Sequence, residues 1–132
     1  MMNIKNFLKE LEKIGIPDGS YVIYGSGPLG ARELREIKDL DVAVEDKVYD
    51  QLTKKYPEKP EKTFSHIVIG NLDLLPARDT LIENFDQVVK KADRFYGHRF
   101  VNLEDLIRWK KKMGRPKDLA DIKLIQKLRK SR

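Results

Sequence analysis

Two apolar runs separated by a fixed interval constrain this chain more than any other feature. The first, Tyr21-Val22-Ile23-Tyr24, ends at Gly25-Ser26; after twelve intervening residues Asp39-Leu40-Asp41-Val42 opens the second. A β-branched and aromatic run that stops at glycine reads as a short buried strand. Ser26-Gly27-Pro28 then reads as a helix start, because Ser can cap free amides and Pro is tolerated in a first turn; the expected helix runs through Leu29, Ala31, Leu34 and Arg35. Residues 39–44 alternate, with Leu40, Val42 and Val44 on one face and Asp39, Asp41 and Ala43 on the other, which predicts a second strand. Strand, helix and strand in so few residues require a sheet with a helix packed at its end.

The rest of the chain fills in around that unit. Ile4, Phe7, Leu8, Leu11 and Ile14 recur at helical spacing and predict an opening amphipathic helix over residues 3–14. Residues 46–56 read as a helix with Val48, Tyr49 and Leu52 on its apolar face, and residues 57–62 as a proline-broken loop. A hairpin is expected from residues 63–69 and 72–75 around Gly70-Asn71. A short helix over 85–92 and a small hairpin around Gly97-His98 follow. Leu103 to Met113 reads as a helix stopped by Gly114. Pro116 opens a last helix with Leu119, Ile122, Ile125 and Leu128 three apart, Asp118 in its first turn and Lys127, Arg129 and Lys130 in its last, as the helix dipole favours. The expected fold class is α+β: a short mixed sheet flanked by helices, with a helical C-terminal part. Residues 1–132 read as a single domain.

Composition narrows the chemistry. With no cysteine, thiolate metal sites, iron–sulfur clusters and disulfides are excluded. No apolar stretch has the length of a bilayer span and the N-terminus lacks a signal-peptide core, so the expectation is a soluble, cytoplasmic protein with no membrane partner. The net charge of +6 is uneven: residues 108–132 hold eleven Lys/Arg against two Asp, which leaves the preceding chain net negative. Such a basic end attracts phosphates, on a nucleotide or on RNA, although the same run also reads as a solvated helix face.

Three carboxylates and a few donors are the candidates for chemistry. On a strand, Asp39 and Asp41 share a face with Cα atoms roughly 6.5–7 Å apart, so both can lean on one hard cation that relieves their mutual repulsion. Gly25 lets the backbone approach a phosphate and Ser26 adds a hydroxyl. Asp73 sits in an apolar strand, Leu72-Asp73-Leu74-Leu75, where a charge has no packing role and is costly unless paired. Lys110, Arg115 and Lys117 can supply charge to a triphosphate. Each has a plainer reading: an exposed acidic strand face, a capped β–α turn, an Asp beside a hairpin turn, and basic residues paired with Asp118 or Asp121. His66, His98 and Trp109 carry no metal-ligand spacing or stacking signal.

Gly25-Ser26, a twelve-residue gap and Asp39-Leu40-Asp41-Val42 resemble the signature of the DNA polymerase beta-like nucleotidyltransferase superfamily, with Asp73 matching the later strand acid of that family's triad. The segment Glu104-Asp105-Leu106 through Lys110 and Gly114-Arg115-Pro116-Lys117-Asp118-Leu119-Ala120-Asp121 is similar to one in small prokaryotic nucleotidyltransferase-like proteins, including abortive-infection antitoxin relatives. The resemblance spans roughly residues 20–125. It implies two Mg²⁺ ions, or Mn²⁺ in their place, and transfer of a nucleoside monophosphate from a triphosphate such as ATP. In that reading Asp39 and Asp41 hold both metals and Asp73 the one that activates the acceptor hydroxyl. Gly25 and Ser26 hold the β- and γ-phosphates. Departing from the minimal toxin-modifying members, the gap is long and Lys38 precedes Asp39. The alternatives are an antitoxin-type module that binds a toxin or other protein partner, and a nucleotide or RNA binder that works through the basic end.

Overall fold

The computed structural model describes residues 3–131. Seven strands form one mixed sheet: β1 (Tyr21–Tyr24), β2 (Leu40–Val44), β3 (Lys59–Pro60), β4 (Ser65–Ile69), β5 (Leu72–Pro76), β6 (Asp93–Phe95) and β7 (His98–Phe100). Their spatial order is β3-β4-β5-β2-β1-β7-β6. β2 runs antiparallel to β1 and parallel to β5, and β7 runs parallel to β1. Six helices surround the sheet: α1 (Ile4–Ile14), α2 (Gly27–Ala31), α3 (Asp46–Leu52), α4 (Phe85–Lys90), α5 (Leu103–Met113) and α6 (Pro116–Lys130). This is the expected α+β class with a helical C-terminal part.

The alternation of each strand divides the core into two layers. Tyr21, Ile23, Leu40, Val42, Val44, Ile67, Leu72, Leu74 and Phe100 pack with Ile4, Phe7, Leu8 and Leu11 of α1 and Tyr49 of α3. On the opposite face Val22, Tyr24 and Ala43 pack with Val88 and Val89 of α4, Leu106 and Trp109 of α5 and Ile125 of α6. Asp41 alternates with Leu40 and Val42, so it must fall on this second face. The helices cover that face over β1 and β2 and leave it open toward β4, where Val68, directly opposite Asp73, is 47% exposed.

Local rules explain most element ends. Asn3 accepts from the Asn6 amide at the start of α1, Asn102 accepts from the Asp105 amide at the start of α5, and Gly15 and Gly114 take left-handed backbone at their ends. Four expectations are corrected. α2 ends at Ala31, short of Leu34 and Arg35: the chain turns out at Glu33, whose φ is +58°, and Arg32 donates back to the Pro28 carbonyl and on to Asp93. α3 ends at Leu52, where Thr53 Oγ1 donates to the Asp50 carbonyl. The loop over 57–62 contains β3, which pairs Lys59 with His66 and adds an edge to the sheet. Leu119 is 52% exposed, because α6 buries Asp118, Asp121, Ile122 and Ile125 instead. Among the described residues no helix is long and apolar enough to cross a membrane.

Candidate active site

The parallel β2–β5 ladder sets Asp41 directly beside Asp73, and the antiparallel β1–β2 ladder sets Tyr24 on Asp41's other flank. Residues in register on neighbouring strands share a face. Tyr24, Asp41 and Asp73 therefore form one row across three strands, and Asp39 follows two residues before Asp41. Asp73 lies on the near side of the sheet, with the other two acids.

The electrostatics reflect this crowding. Burial first, then the charges of Asp39 and Asp73, push the Asp41 carboxyl up to about 7; Lys117 and Arg115 offset part of that rise. Burial, with Asp41 and Asp73 next, holds the Tyr24 phenol well above its ordinary value. Among the described residues neither the Asp39 nor the Asp41 carboxylate makes a hydrogen bond or a salt bridge. A cavity of about 690 Å³ opens in front of them, walled by Ser26, Asp39, Asp41, Arg115 and Lys117.

Gly25 is required by this geometry. Its φ is +67°, and a Cβ there would collide with Asp41 Oδ2. The bend therefore presses backbone against the carboxylate. Ser26 precedes α2, but its side chain makes no capping bond; its carbonyl instead accepts from the Leu29 and Gly30 amides. With five residues, α2 carries only a small dipole, so the Ser26 hydroxyl and the bend itself are the usable donors.

The basic candidates differ in availability. Lys117 is exposed at the cavity mouth. Arg115 closes a capping pair with Asp118, its Nε donating to Asp118 Oδ2 at 2.6 Å, yet it still lines the cavity. Burial opposes ionisation of Asp118, but the Arg115 side-chain and backbone hydrogen bonds outweigh it and hold the carboxyl below its ordinary value. Lys110 is 2% exposed: its ammonium lies 2.8 Å from Asp121 Oδ2 and 3.6 Å from Asp118 Oδ1. Arg35, on the loop before Asp39, donates to the other side of Asp121 at 2.8 Å. A buried ion network thus ties the aspartate loop to α5 and α6, and Lys110 is already engaged within it.

Two residues that local spacing could not flag complete the site. His66 Nδ1 is 2.7 Å from Asp73 Oδ1, and His66 Nε2 is 2.9 Å from Glu61 Oε2. Burial opposes protonation of His66, but its two carboxylate partners prevail and raise its pKa. The signal for this contact was the hairpin register: Gly70-Asn71 sets Val68 opposite Asp73, which leaves His66 diagonal to it. Tyr24 is the second, hidden because an aromatic in a buried strand reads as core.

The three acids offer only oxygen donors, the kind a hard divalent cation takes. Among the described residues no three His, Cys, Asp or Glu side chains gather closely enough to hold a metal ion.

No protein-family model matches the chain. No curated protein matches it either. Among solved structures, the chain is similar to a "putative nucleotidyltransferase" from Thermotoga maritima, with a TM-score of 0.54 and 16% identity over 99% of this chain and 97% of that one. At that identity the likeness is one of fold. Over nearly its whole length, then, the chain shares the mixed α+β fold of that protein.

Proposed function

We propose that this protein is a Mg²⁺-dependent nucleotidyltransferase that moves a nucleoside monophosphate from a nucleoside triphosphate to an acceptor hydroxyl. The observation that carries the reading is the row formed by Asp41 and Asp73 on neighbouring strands, crowded by Asp39, with no cation paired to the Asp39 or Asp41 carboxylate among the described residues, beside the glycine bend and within reach of Arg115 and Lys117.

In this reading Asp39 and Asp41 would hold the cations, and Asp73 would complete the site on the acceptor side. Mg²⁺, or Mn²⁺ in its place, would supply positive charge to the reacting phosphate when bound. The chain's own contribution is positioning and charge. Ser26 and the backbone at Gly25 donate to the β- and γ-phosphates. Lys117 and the outer edge of the Arg115 guanidinium meet the remaining phosphate charge. Lys110 acts behind them, holding Asp118 and Asp121 so that Arg115 keeps its place. Asp73, fixed by His66, accepts the proton of the acceptor hydroxyl as its oxygen attacks the α-phosphorus; the bond from that phosphorus to the bridging oxygen breaks and pyrophosphate leaves.

The test is label transfer from α-labelled nucleoside triphosphates to a panel of protein, RNA and small-molecule acceptors, with Mg²⁺ or Mn²⁺. The expected result is transfer that Asp41→Ala abolishes and Lys117→Ala weakens through KM. Absence of any Mg²⁺-dependent triphosphate binding by calorimetry, together with no transfer to any acceptor, would overturn the reading.

A further inference from the structure

A second cavity, of about 330 Å³, shares no lining residue with the first and is lined by Tyr24, which flanks Asp41 in the sheet. It is framed by α4, the loop over 81–84 and α5, and its size falls at the lower end of ordinary small-molecule sites. The floor is aromatic: the Tyr24 and Trp109 rings meet edge to face, with centroids 5.2 Å apart. Trp109 is locked there by its indole Nε1, which donates to the Thr80 carbonyl at 2.7 Å.

Three observations give this cavity an occupant. Tyr24 lines it and is only 6% exposed, so its ring offers an apolar wall, while its hydroxyl feels the charges of Asp41 and Asp73 and not those of the cavity. The charges around the cavity are largely matched within it: Lys112 pairs with Glu83 at 2.7 Å and Arg108 with Asp105 at 2.6 Å. A phosphate therefore gains little here, whereas an uncharged ligand loses little. At the mouth stand the amides of Asn84 and Gln87, neither engaged in a side-chain hydrogen bond among the described residues. An aromatic floor with free amides at the rim suits a flat heterocycle that stacks on one side and hydrogen-bonds along its edge. Leu81, which also lines the cavity, holds a φ of +66°, a strained state for a branched side chain and one that accumulates at binding sites.

We propose that this cavity binds the uncharged nucleoside part of a substrate, with the base against Trp109 and Tyr24 and its edge on Gln87 and Asn84. The proposal rests on the nucleotidyltransferase reading, since Tyr24 then joins the base pocket to the Asp41–Asp73 row. The nucleoside is either that of the triphosphate donor or that of a nucleotide-bearing acceptor; both offer the same chemistry to the pocket.

Trp109 is the only tryptophan in the chain, so one indole N–H signal in a ¹H–¹⁵N spectrum reports the cavity. Adenosine, guanosine, cytidine and uridine are titrated without Mg²⁺, with ribose as control. The expected result is a saturable shift of the indole signal with at least one nucleoside and none with ribose. Gln87→Ala weakens it about tenfold, the value of one lost hydrogen bond. A nucleoside displaced by saturating Mg²⁺–triphosphate identifies the donor's base; one that binds alongside identifies the acceptor's. No response to any nucleoside in the folded protein, or an equal response to ribose, would overturn the proposal. Mg²⁺–triphosphate binding that still depends on Asp41 would leave the nucleotidyltransferase reading standing in that case. Conversely, nucleoside binding without triphosphate binding would retain the pocket and remove the enzyme.

Discussion

His66 donates through Nδ1 to Asp73 Oδ1 across 2.7 Å, while its Nε2 meets Glu61 at 2.9 Å. One oxygen of Asp73 is thereby occupied, and the β2–β5 ladder sets the residue beside Asp41. The two ring positions can be separated by isosteres. His66→Asn keeps a donor near Nδ1 and loses the reach to Glu61; His66→Gln does the reverse. If His66 orients Asp73, His66→Asn retains most of kcat, whereas His66→Gln loses about tenfold or more, the scale on which partners behind a ligand usually act. Steady-state kinetics with matched melting curves checks this, and equal loss in both variants would show that His66 only packs.

Asp41 predicts an unusual pH profile of stability. Its carboxyl rises from an ordinary carboxylate value to about 7 in the folded state. The unfolded chain therefore gives up this proton near pH 4 and the folded chain near pH 7. The stabilisation is full below the unfolded value and is lost as pH rises through 7, at about 1.4 kcal/mol for each tenfold difference in proton affinity between the two states. In chelator, thermal stability should fall between pH 5 and pH 8 by an amount on the order of a few kcal/mol. Asp41→Asn should flatten that slope, and Mg²⁺ at pH 8 should raise the melting temperature of the natural protein more than that of the variant. Calorimetric scans across pH decide it.

Gly25→Ala should damage both fold and site. The left-handed backbone at φ +67° costs an L-residue roughly 1–2 kcal/mol, and the new methyl meets Asp41 Oδ2. The expected outcome is a destabilised protein whose transfer activity falls further than its folded fraction. Gly19→Ala is the control, since its φ of +91° carries the backbone strain with no neighbour within 4 Å.

Lys110→Met should leave Asp118 and Asp121 buried with fewer cations. Breaking a buried pair on one side typically costs about 3–5 kcal/mol, and the remaining contacts from Arg35 and Arg115 place this case near the lower end. Lys110→Met with Asp121→Asn should recover part of the loss. Urea denaturation of the three proteins measures the coupling.

Much of the architecture was legible in the sequence because it rests on local rules. Tyr21–Tyr24, Leu103–Met113 and the hairpin through Gly70-Asn71 follow from periodicity, turn residues and caps. The errors came where a tertiary contact outbid local preference. Arg32 drew the chain out of α2. The edge pairing with His66 made β3 from a loop sequence. Asp118 and Asp121 took the buried stripe of α6 because Lys110 and Arg115 neutralise them there, which sent Leu119 to solvent.

Within the candidate site, alternation along one strand already put Asp39 and Asp41 on a common face, since side-chain direction in a strand is a property of the backbone. That Asp73 stands beside Asp41, that His66 holds it, that Lys110 is engaged while Lys117 is exposed, and that Tyr24 both flanks Asp41 and lines a second cavity depended on strand order, register and helix packing. Those are long-range pairings, set by which apolar faces bury each other best, and no short window of sequence contains both partners.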